Sequence, residues 1–360
     1  MKSSITKILV VILIPFLLSC LRDESFKLPY GGFEPEEIDD DWIISTPEDE
    51  NMDSQILESA FRIIHEEDRY KMIRSLLVIR NGKLLAEAYP RDSRDIEQIG
   101  NLQSATKSVT SILTGIAFEL GLLDSLSQRI SSIYPEMFTN HPDKYGITIK
   151  QVLTMSTGIG FNNSEHTGLL CLSDRSVDFV LSLPLISNPG TSFNYNDGNP
   201  QLISYAIEYR YGKPLAVFAD ECLFKPLGIT DWLWESAPDG ISFGAFSLYL
   251  KPRDMAKIGQ MLIQNGQWEG RHIVDSTWIA LATQSHYEYR PYWVYGYYFW
   301  ISPFEDIFYY NASGHGGQMI VVVPGKNLVI VSSAWPYSKH EEPYVEPFMT
   351  LLELIIESCD

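Results

Sequence analysis

Predicted β-strands lie near both ends of this 360-residue chain, and that separation restricts how the chain can fold. SLLVIR and KLLAEAY flank Asn81-Gly82, which is the strongest two-residue signal for a β-hairpin. Near the other end, three further segments predict strands: YWVYGYYFWI, GQMIVVV and LVIVSSAW. Strands that are remote in sequence are therefore expected to meet in one sheet.

Helical patterns occupy the middle of the chain and both flanks. The predicted helices are 53–65, about 104–121, 148–157, 199–212, 252–264 and 346–358. This order predicts an α+β fold, in which an antiparallel sheet flanked by the terminal helices carries a helical lobe inserted at about 104–265. Residue 104 lies where the sheet passes into the lobe, and clefts between lobes often hold sites of chemistry.

Ser104-Ala105-Thr106-Lys107 opens the longest of these helices, which is apolar or small on nearly every face. Residues three apart share one face of a helix, so the Lys107 amine is expected beside the Ser104 hydroxyl. A hydroxyl becomes a good nucleophile when a nearby base takes its proton, and burial favours the uncharged form of a lysine. The pair predicts acyl transfer by a neutral lysine. The spacing alone is weak, because Ser4-Ile5-Thr6-Lys7 has it too.

Two further segments carry candidate site residues. Tyr195 lies in the loop 189–199 among turn-forming residues, where a phenol can relay a proton or simply pack the loop. His315, Gly316 and Gly317 precede the strand that begins near Gln318. Glycines there let a substrate backbone approach, and a free N–H can donate to an oxyanion. The alternative is an ordinary glycine-rich bend with a surface histidine.

Charge and cysteine content exclude other functions. The formal net charge is −19, which opposes binding to nucleic acid phosphates. The sequence lacks clustered His/Cys spacings, so no metal site is expected, and it lacks a G-x-S-x-G nucleophile elbow. Apart from Cys20 there are three cysteines, Cys171, Cys222 and Cys359, which can form at most one disulfide.

The N-terminus predicts export and a lipid anchor. Residues 1–19 combine two lysines with an apolar run, as in a secretory signal peptide. Leu17-Leu18-Ser19-Cys20 resembles a bacterial lipobox, so Cys20 is the expected lipidation site; ordinary cleavage and an uncleaved anchor are the alternatives. Leu21 follows in place of an inner-membrane retention aspartate, which favours a periplasmic or outer-membrane-associated protein of the cell envelope. Residues 20–52 are acidic and predict a tether, and 53–360 the functional domain.

With S-x-x-K, a loop tyrosine and H-G-G in this order, the chain resembles the serine β-lactamase and D,D-peptidase superfamily. More narrowly, it is similar to the class C-like branch that holds esterases, aminohexanoate-oligomer hydrolases and peptidases. The resemblance covers roughly 42–358, including ITIKQVLTMSTGIGF, LYLKPRDMAKIGQMLIQNGQWEGRHIV and GHGGQMIVVVPGKNLVIV. It implies a β-lactamase/transpeptidase-like fold, in agreement with the pattern of strands and helices.

The resemblance also implies roles for the motif residues. Ser104 would be the acylated nucleophile and Lys107 its general base. Tyr195 would pass protons between nucleophile and leaving group, and His315 stands where β-lactamases carry the lysine of K-T-G. The backbone N–H groups of Ser104 and Gln318 would form the oxyanion hole. Further residues that would contact the substrate are Asp197, Gly316 and Gly317.

Two departures from the family pattern favour substrates that carry less negative charge. The motif Y-x-N reads Tyr195-Asn196-Asp197, so an aspartate replaces the asparagine. His315 replaces a lysine and removes a fixed positive charge that would hold a substrate carboxylate. Both changes argue against an efficient β-lactamase.

The sequence thus predicts a membrane-anchored serine hydrolase that cleaves a small ester, amide or peptide through an acyl-enzyme, without metal or organic cofactor. Specificity is expected to depend on the segment from Phe161 to Arg175 and on the aromatic stretch near Tyr295. One alternative is a penicillin-binding or D,D-peptidase-type cell-wall enzyme. Another is a lipoprotein that kept the fold as a non-catalytic binding module.

Overall fold

The computed structural model describes residues 28–290, 293–304, 307–335 and 345–359. The predicted signal peptide and Cys20 lie outside these residues. The strands are β1 Ile73–Arg80, β2 Lys83–Ala88, β3 Gly100–Asn101, β4 Leu233–Trp234, β5 Leu248–Leu250, β6 Gln267–Trp268, β7 Arg271–His272, β8 Tyr287–Arg290, β9 Trp293–Tyr295, β10 Trp300–Phe304, β11 Ile307–Gly314, β12 Gln318–Val323 and β13 Leu328–Ala334.

Eight of these strands form the main sheet, in the order β2-β1-β13-β12-β11-β10-β9-β8, with every neighbouring pair antiparallel. The hairpin predicted at Asn81-Gly82 is confirmed, and both turn residues have positive φ (54° and 81°). β1 pairs with β13, and Leu77 lies directly opposite Val331 on this neighbouring strand. The prediction of an α+β fold with one sheet assembled from both ends of the chain is therefore confirmed.

The helices are α1 Ser54–Glu66, α2 Thr106–Glu119, α3 Ile149–Leu153, α4 Asn163–Leu172, α5 Ser176–Ser182, α6 Gly198–Tyr211, α7 Leu215–Ala219, α8 Pro252–Ile263, α9 Ser276–Ala282 and α10 Val345–Glu357. Alternate residues of β1 point to opposite faces of the sheet. Leu77 and Ile79 join the core shared with α2, α6 and α8. Leu76 and Val78 join the core formed with α1 and α10. The sheet thus separates the inserted helices from the terminal ones.

The structure differs from the predicted elements at several places, among them the following. The described part of YWVYGYYFWI, residues 293–301, divides into β9 and the start of β10, because Tyr298 adopts a left-handed φ of 63° and the Gly296 N–H donates to the Phe299 carbonyl at 2.9 Å. β8 and β11 were not predicted. The helix predicted over 148–157 is shorter. It begins with a capping box and ends at Leu153, because Met155 adopts a left-handed φ of 55°.

The predicted tether does not extend through the part of it that the structure describes, residues 28–52. Leu84 of β2 exchanges backbone hydrogen bonds with Ile43 and Ser45, so this segment lies along the edge of the sheet. Phe33 and Met52 are buried in the core beside α1. Two acidic residues of the segment are paired: Asp40 accepts from Arg253 at 2.9 Å, and Glu50 accepts from Lys83 at 2.6 Å.

No helix in the described part of the chain is long and apolar enough to cross a membrane. The three cysteines among these residues, Cys171, Cys222 and Cys359, are free thiols.

Candidate active site

Ser104 lies in a short 3₁₀ turn, Gln103–Ala105, immediately before α2. The preceding Gln103 has a φ of 50°, which is sparsely populated for a residue other than glycine. Its N–H donates to Asn101 Oδ1 at 2.8 Å, and this bond holds the turn in place. The side chain of Ser104 is partly exposed, while Ala105 and Thr106 are buried. The turn therefore leaves Ser104 accessible to solvent beside residues that are buried in the core.

Helix α2 is buried on all faces from Thr106 to Ala117, as its sequence predicted. Its polar side chains bond to neighbouring backbone carbonyls. Ser108 Oγ donates to Tyr298 O at 2.6 Å, and Thr110 Oγ1 donates to Gly244 O at 2.8 Å. These bonds fix the rotation of α2 about its axis, and with it the direction of Lys107.

Lys107 is 1% exposed, and its amine contacts three oxygens. Nζ lies 2.9 Å from Ser104 Oγ, 2.7 Å from Asp197 Oδ1 and 3.2 Å from the carbonyl oxygen of Ala245. The structure thus brings Ser104 and Lys107 together as their spacing predicted. Because two of the three partners only accept hydrogen bonds, a neutral amine would direct its lone pair at the serine hydroxyl.

The neighbours of Lys107 oppose the neutral state that burial alone predicts for it. Burial lowers the pKa of Lys107, but the Asp197 carboxylate and then the Tyr195 phenol oppose it, and the pKa is raised above its ordinary value. Burial alone was the basis for predicting an uncharged Lys107. That prediction did not place a carboxylate at ion-pair distance, 90 residues further along the chain. The groups around Lys107 therefore favour its ammonium form in the resting site.

Asp197 lies at the start of α6, and its carboxylate has a partner on each oxygen. Oδ1 accepts from Lys107, and Oδ2 accepts from the hydroxyl of Thr167 on α4 at 2.6 Å. Its backbone N–H donates to Asn163 Oδ1 at 2.9 Å. The side chain is 9% exposed. Both oxygens thus bind protein groups, while substrate contact by Asp197 stays a prediction.

Tyr195 lies beside the Ser104–Lys107 pair and is half-buried. Lys107 Nζ is 4.8 Å from the centre of the Tyr195 ring. The ring packs against Trp300 at 5.5 Å and against Tyr295 at 5.9 Å, measured between ring centres. Tyr195 therefore combines loop packing with a position beside the Lys107 amine, and its role in proton transfer stays a prediction.

The turn between β11 and β12 lies next to the turn that holds Ser104. A side chain at Gly314 would put a Cβ atom 2.2 Å from the Leu102 carbonyl oxygen, so only glycine permits this approach. His315 is exposed, whereas Gly316, Gly317 and Gln318 are buried. The Gln318 side chain is fixed by the Ala334 N–H, which donates to Oε1 at 3.1 Å. The roles predicted for these residues in oxyanion and substrate binding stay predictions.

Sequence reasoning missed four residues that shape the site. They are Asn163, Thr167, Ala245 and Trp300. The polar contacts of the first three reach Lys107 and Asp197 from other elements, and no local pattern marks them. The segment that contains Asn163 and Thr167 was expected to influence specificity, and it forms helix α4. Within the described ranges, no group of His, Cys, Asp and Glu side chains is arranged to hold a metal ion.

Comparison with known proteins decides the family. The Beta-lactamase family model matches residues 74–340, which include every residue of the site described above. The chain belongs to the beta-lactamase family. The resemblance inferred from its motifs is thereby confirmed, as is the β-lactamase/transpeptidase-like fold.

Individual relatives agree with this membership. The 6-aminohexanoate-dimer hydrolase of Paenarthrobacter ureafaciens is 24% identical over 298 residues, which cover 73% of this chain and 72% of that protein. A Bacillus anthracis protein provisionally assigned as a 6-aminohexanoate-dimer hydrolase superposes with a TM-score of 0.73 at 18% identity, covering 96% of this chain and 94% of that chain. EstCE1, a hydrolase with promiscuous acyltransferase activity, superposes with a TM-score of 0.67 at 14% identity, covering 85% and 98%.

Family membership and site geometry agree on the class of enzyme. The beta-lactamase-family chain is a serine hydrolase, as its sequence predicted.

Proposed function

We propose that this enzyme hydrolyses small esters or amides through an acyl-enzyme formed on Ser104. The observation that carries the proposal is the 2.9 Å contact between Lys107 Nζ and a partly exposed Ser104 Oγ. A hydroxyl that is open to solvent and bonded to a buried amine has the geometry of an activated nucleophile.

The proposed reaction begins when the Lys107–Tyr195 pair has lost one proton to solvent. The pair then accepts the Ser104 proton as Oγ attacks the substrate carbonyl. The backbone N–H groups of Ser104 and Gln318 bind the resulting oxyanion, and each donor of this kind contributes on the order of 3 kcal/mol. Tyr195 delivers the proton to the leaving group as the ester or amide bond breaks. Water attacks the acyl-enzyme by the same route and regenerates Ser104.

The charges around Ser104 support a substrate without a carboxylate close to the scissile bond. The positive charge of Lys107 is matched by Asp197 at 2.7 Å, and position 315 holds a histidine instead of a permanent cation. Among the described site residues named here, no unpaired cation remains to bind an anionic acyl donor. The printed activity of the Paenarthrobacter relative, hydrolysis of a 6-aminohexanoate dimer, supports amides as one substrate class.

A substrate panel tests this proposal. Purified protein without the signal peptide and Cys20 is given a p-nitrophenyl ester, the 6-aminohexanoate dimer, a D-alanyl-D-alanine peptide and a β-lactam. We expect kcat/KM for the ester or the dimer to exceed that for the β-lactam by roughly 10- to 100-fold, the value of one charge-assisted hydrogen bond.

Two other outcomes would contradict the proposal. A stable penicillin adduct without ester turnover would identify a penicillin-binding or D,D-peptidase-type enzyme. A folded protein that turns over none of the four substrates and resists fluorophosphonate would favour the non-catalytic binding module.

We further propose that the enzyme is a lipoprotein of the cell envelope, anchored through Cys20. The support is the apolar run of 1–19 and the lipobox-like Leu17-Leu18-Ser19-Cys20. When the full-length gene is expressed in a bacterium, labelled palmitate is expected in the protein, which should partition into detergent. A Cys20→Ala variant should lose both properties. Label that is retained in Cys20→Ala would contradict the anchor.

A further inference from the structure

We propose that Asp197 and Thr167 are positioning residues that set, in opposite directions, the pH at which Ser104 becomes reactive. The inference rests on the proposed acyl-enzyme function and concerns the same site. Neither residue needs to touch the substrate for this role. Each acts through the Lys107–Tyr195 pair, which has to lose a proton before it can accept one from Ser104.

The two oxygens of the Asp197 carboxylate bind different groups. One oxygen binds the Lys107 amine at 2.7 Å, and the other accepts the Thr167 hydroxyl at 2.6 Å. Asp197 is 6% exposed, so water does little to solvate its charge. The carboxylate is therefore stabilised mainly by these two groups, a cation on one side and a hydroxyl on the other.

The catalytic form of the site has one proton fewer than the resting form. When Lys107 releases its proton, Asp197 loses the cation that neutralises it. A buried carboxylate without a cation is costly, so Asp197 opposes this release and moves activation to higher pH. The Thr167 hydroxyl remains bonded to Oδ2 in both states. This hydrogen bond stabilises the carboxylate more strongly once the cation is gone. Thr167 therefore favours release of the proton from Lys107 and moves activation to lower pH.

Helix α4 packs against the rest of the protein through few buried residues. Of its ten residues only Leu170 is buried, while Leu169 and Leu172 are 53% and 80% exposed. Two side chains one turn apart, Asn163 and Thr167, join the helix to the backbone N–H and the carboxylate of Asp197. Polar contact with residue 197 therefore helps to position this helix, beside the packing of Leu170 and of the His166 ring on Phe161 and Phe179.

Other titratable groups also face this site. Burial raises the pKa of Tyr295 on β9 well above its usual value, and it raises the pKa of the Cys171 thiol on α4, so both are neutral near pH 7. His315 lies on the neighbouring turn between β11 and β12. The remaining groups are Tyr195 itself and Glu235, which acts on Cys171. Asp197 is the carboxylate in direct contact with Lys107.

The test is the pH dependence of kcat/KM for a p-nitrophenyl ester, measured with the full chain in detergent. For Asp197→Asn we expect the acidic limb to move to lower pH by about one unit or more, so that kcat/KM below the wild-type limb rises roughly tenfold. For Thr167→Val the limb should move to higher pH. Thr167→Ser keeps the hydroxyl and should follow the wild type.

Controls separate this inference from the proposed function. Thr167→Val added to Asp197→Asn should cause no further shift, because the carboxylate on which Thr167 acts is gone. The shift caused by Asp197→Asn should persist when His315 is replaced with Gln, which removes the imidazole from the neighbouring turn. If Asp197→Asn does not fold, the comparison of Thr167→Val with Thr167→Ser still decides.

Three results are decisive. Superposable profiles for wild type, Asp197→Asn and Thr167→Val would overturn the inference while ester turnover left the proposed function intact. A shift of both single variants in the same direction would also overturn it. A wild-type protein without ester turnover at any pH would instead contradict the proposed function.

Discussion

Ser104→Ala is expected to lower kcat/KM by roughly 10⁴-fold or more, because the variant lacks the oxygen that forms the acyl-enzyme. The substitution removes one hydrogen-bond partner of Lys107 and leaves the contacts of Nζ with Asp197 and with the Ala245 carbonyl. The fold should therefore survive. Steady-state kinetics with a p-nitrophenyl ester measure the loss, and the unfolding midpoint verifies the fold.

A matched control is Ser108→Ala on the same helix. Ser108 is buried and donates to the Tyr298 carbonyl, which packs α2 against the sheet but lies outside the proposed reaction. This variant should lose about 1 kcal/mol of stability and keep its activity within a few-fold. Equal loss of activity in both variants would show that the effect arises from α2 packing, and that Ser104 has no special role.

The second large effect is expected for Lys107→Met, which should destabilise the protein by about 3–5 kcal/mol and abolish turnover. Lys107 and Asp197 have side chains that are 1% and 9% exposed, so removal of the lysine leaves an unpaired carboxylate in the core. Because a methionine has a similar length, the loss reflects charge rather than a cavity. Denaturant unfolding of wild type and variant measures the change in free energy.

The double variant Lys107→Met with Asp197→Asn separates stability from catalysis. Without a buried charge, the free energy of unfolding should recover most of the loss, whereas activity should stay absent because the proton acceptor is missing. The exposed pair Arg62–Glu58 gives a control, since Arg62→Met should cost no more than about 1 kcal/mol. A double variant as unstable as Lys107→Met alone would contradict the assigned charge state.

Features that depend on local sequence could be predicted. The β1–β2 hairpin follows from Asn81-Gly82, whose backbone preference selects the turn whatever the rest of the chain does. The contact between Ser104 and Lys107 follows from the helical repeat within four residues. Sheet assembly from both ends followed from the order of strands and helices, and this order is the coarsest and most robust pattern in the sequence.

Features that depend on distant contacts could not be predicted. The pKa of Lys107 is raised by Asp197, whose other oxygen binds Thr167, and neither residue is near Lys107 in sequence. The aromatic run at 292–301 is compatible with one long strand, but the left-handed φ of Tyr298 and a local Gly296–Phe299 hydrogen bond separate β9 from β10. Acidic composition suggested a tether through residue 52, but Arg253 and Lys83, which pair with Asp40 and Glu50, lie further along the chain.

The most direct test of the central claim is the site of acylation during turnover. The enzyme is mixed with a p-nitrophenyl ester, quenched in acid within the burst phase, digested and mapped by mass spectrometry. We predict one added acyl group, on Ser104, and none in Ser104→Ala. An acyl group on another residue, or turnover without any acylated peptide, would contradict the account.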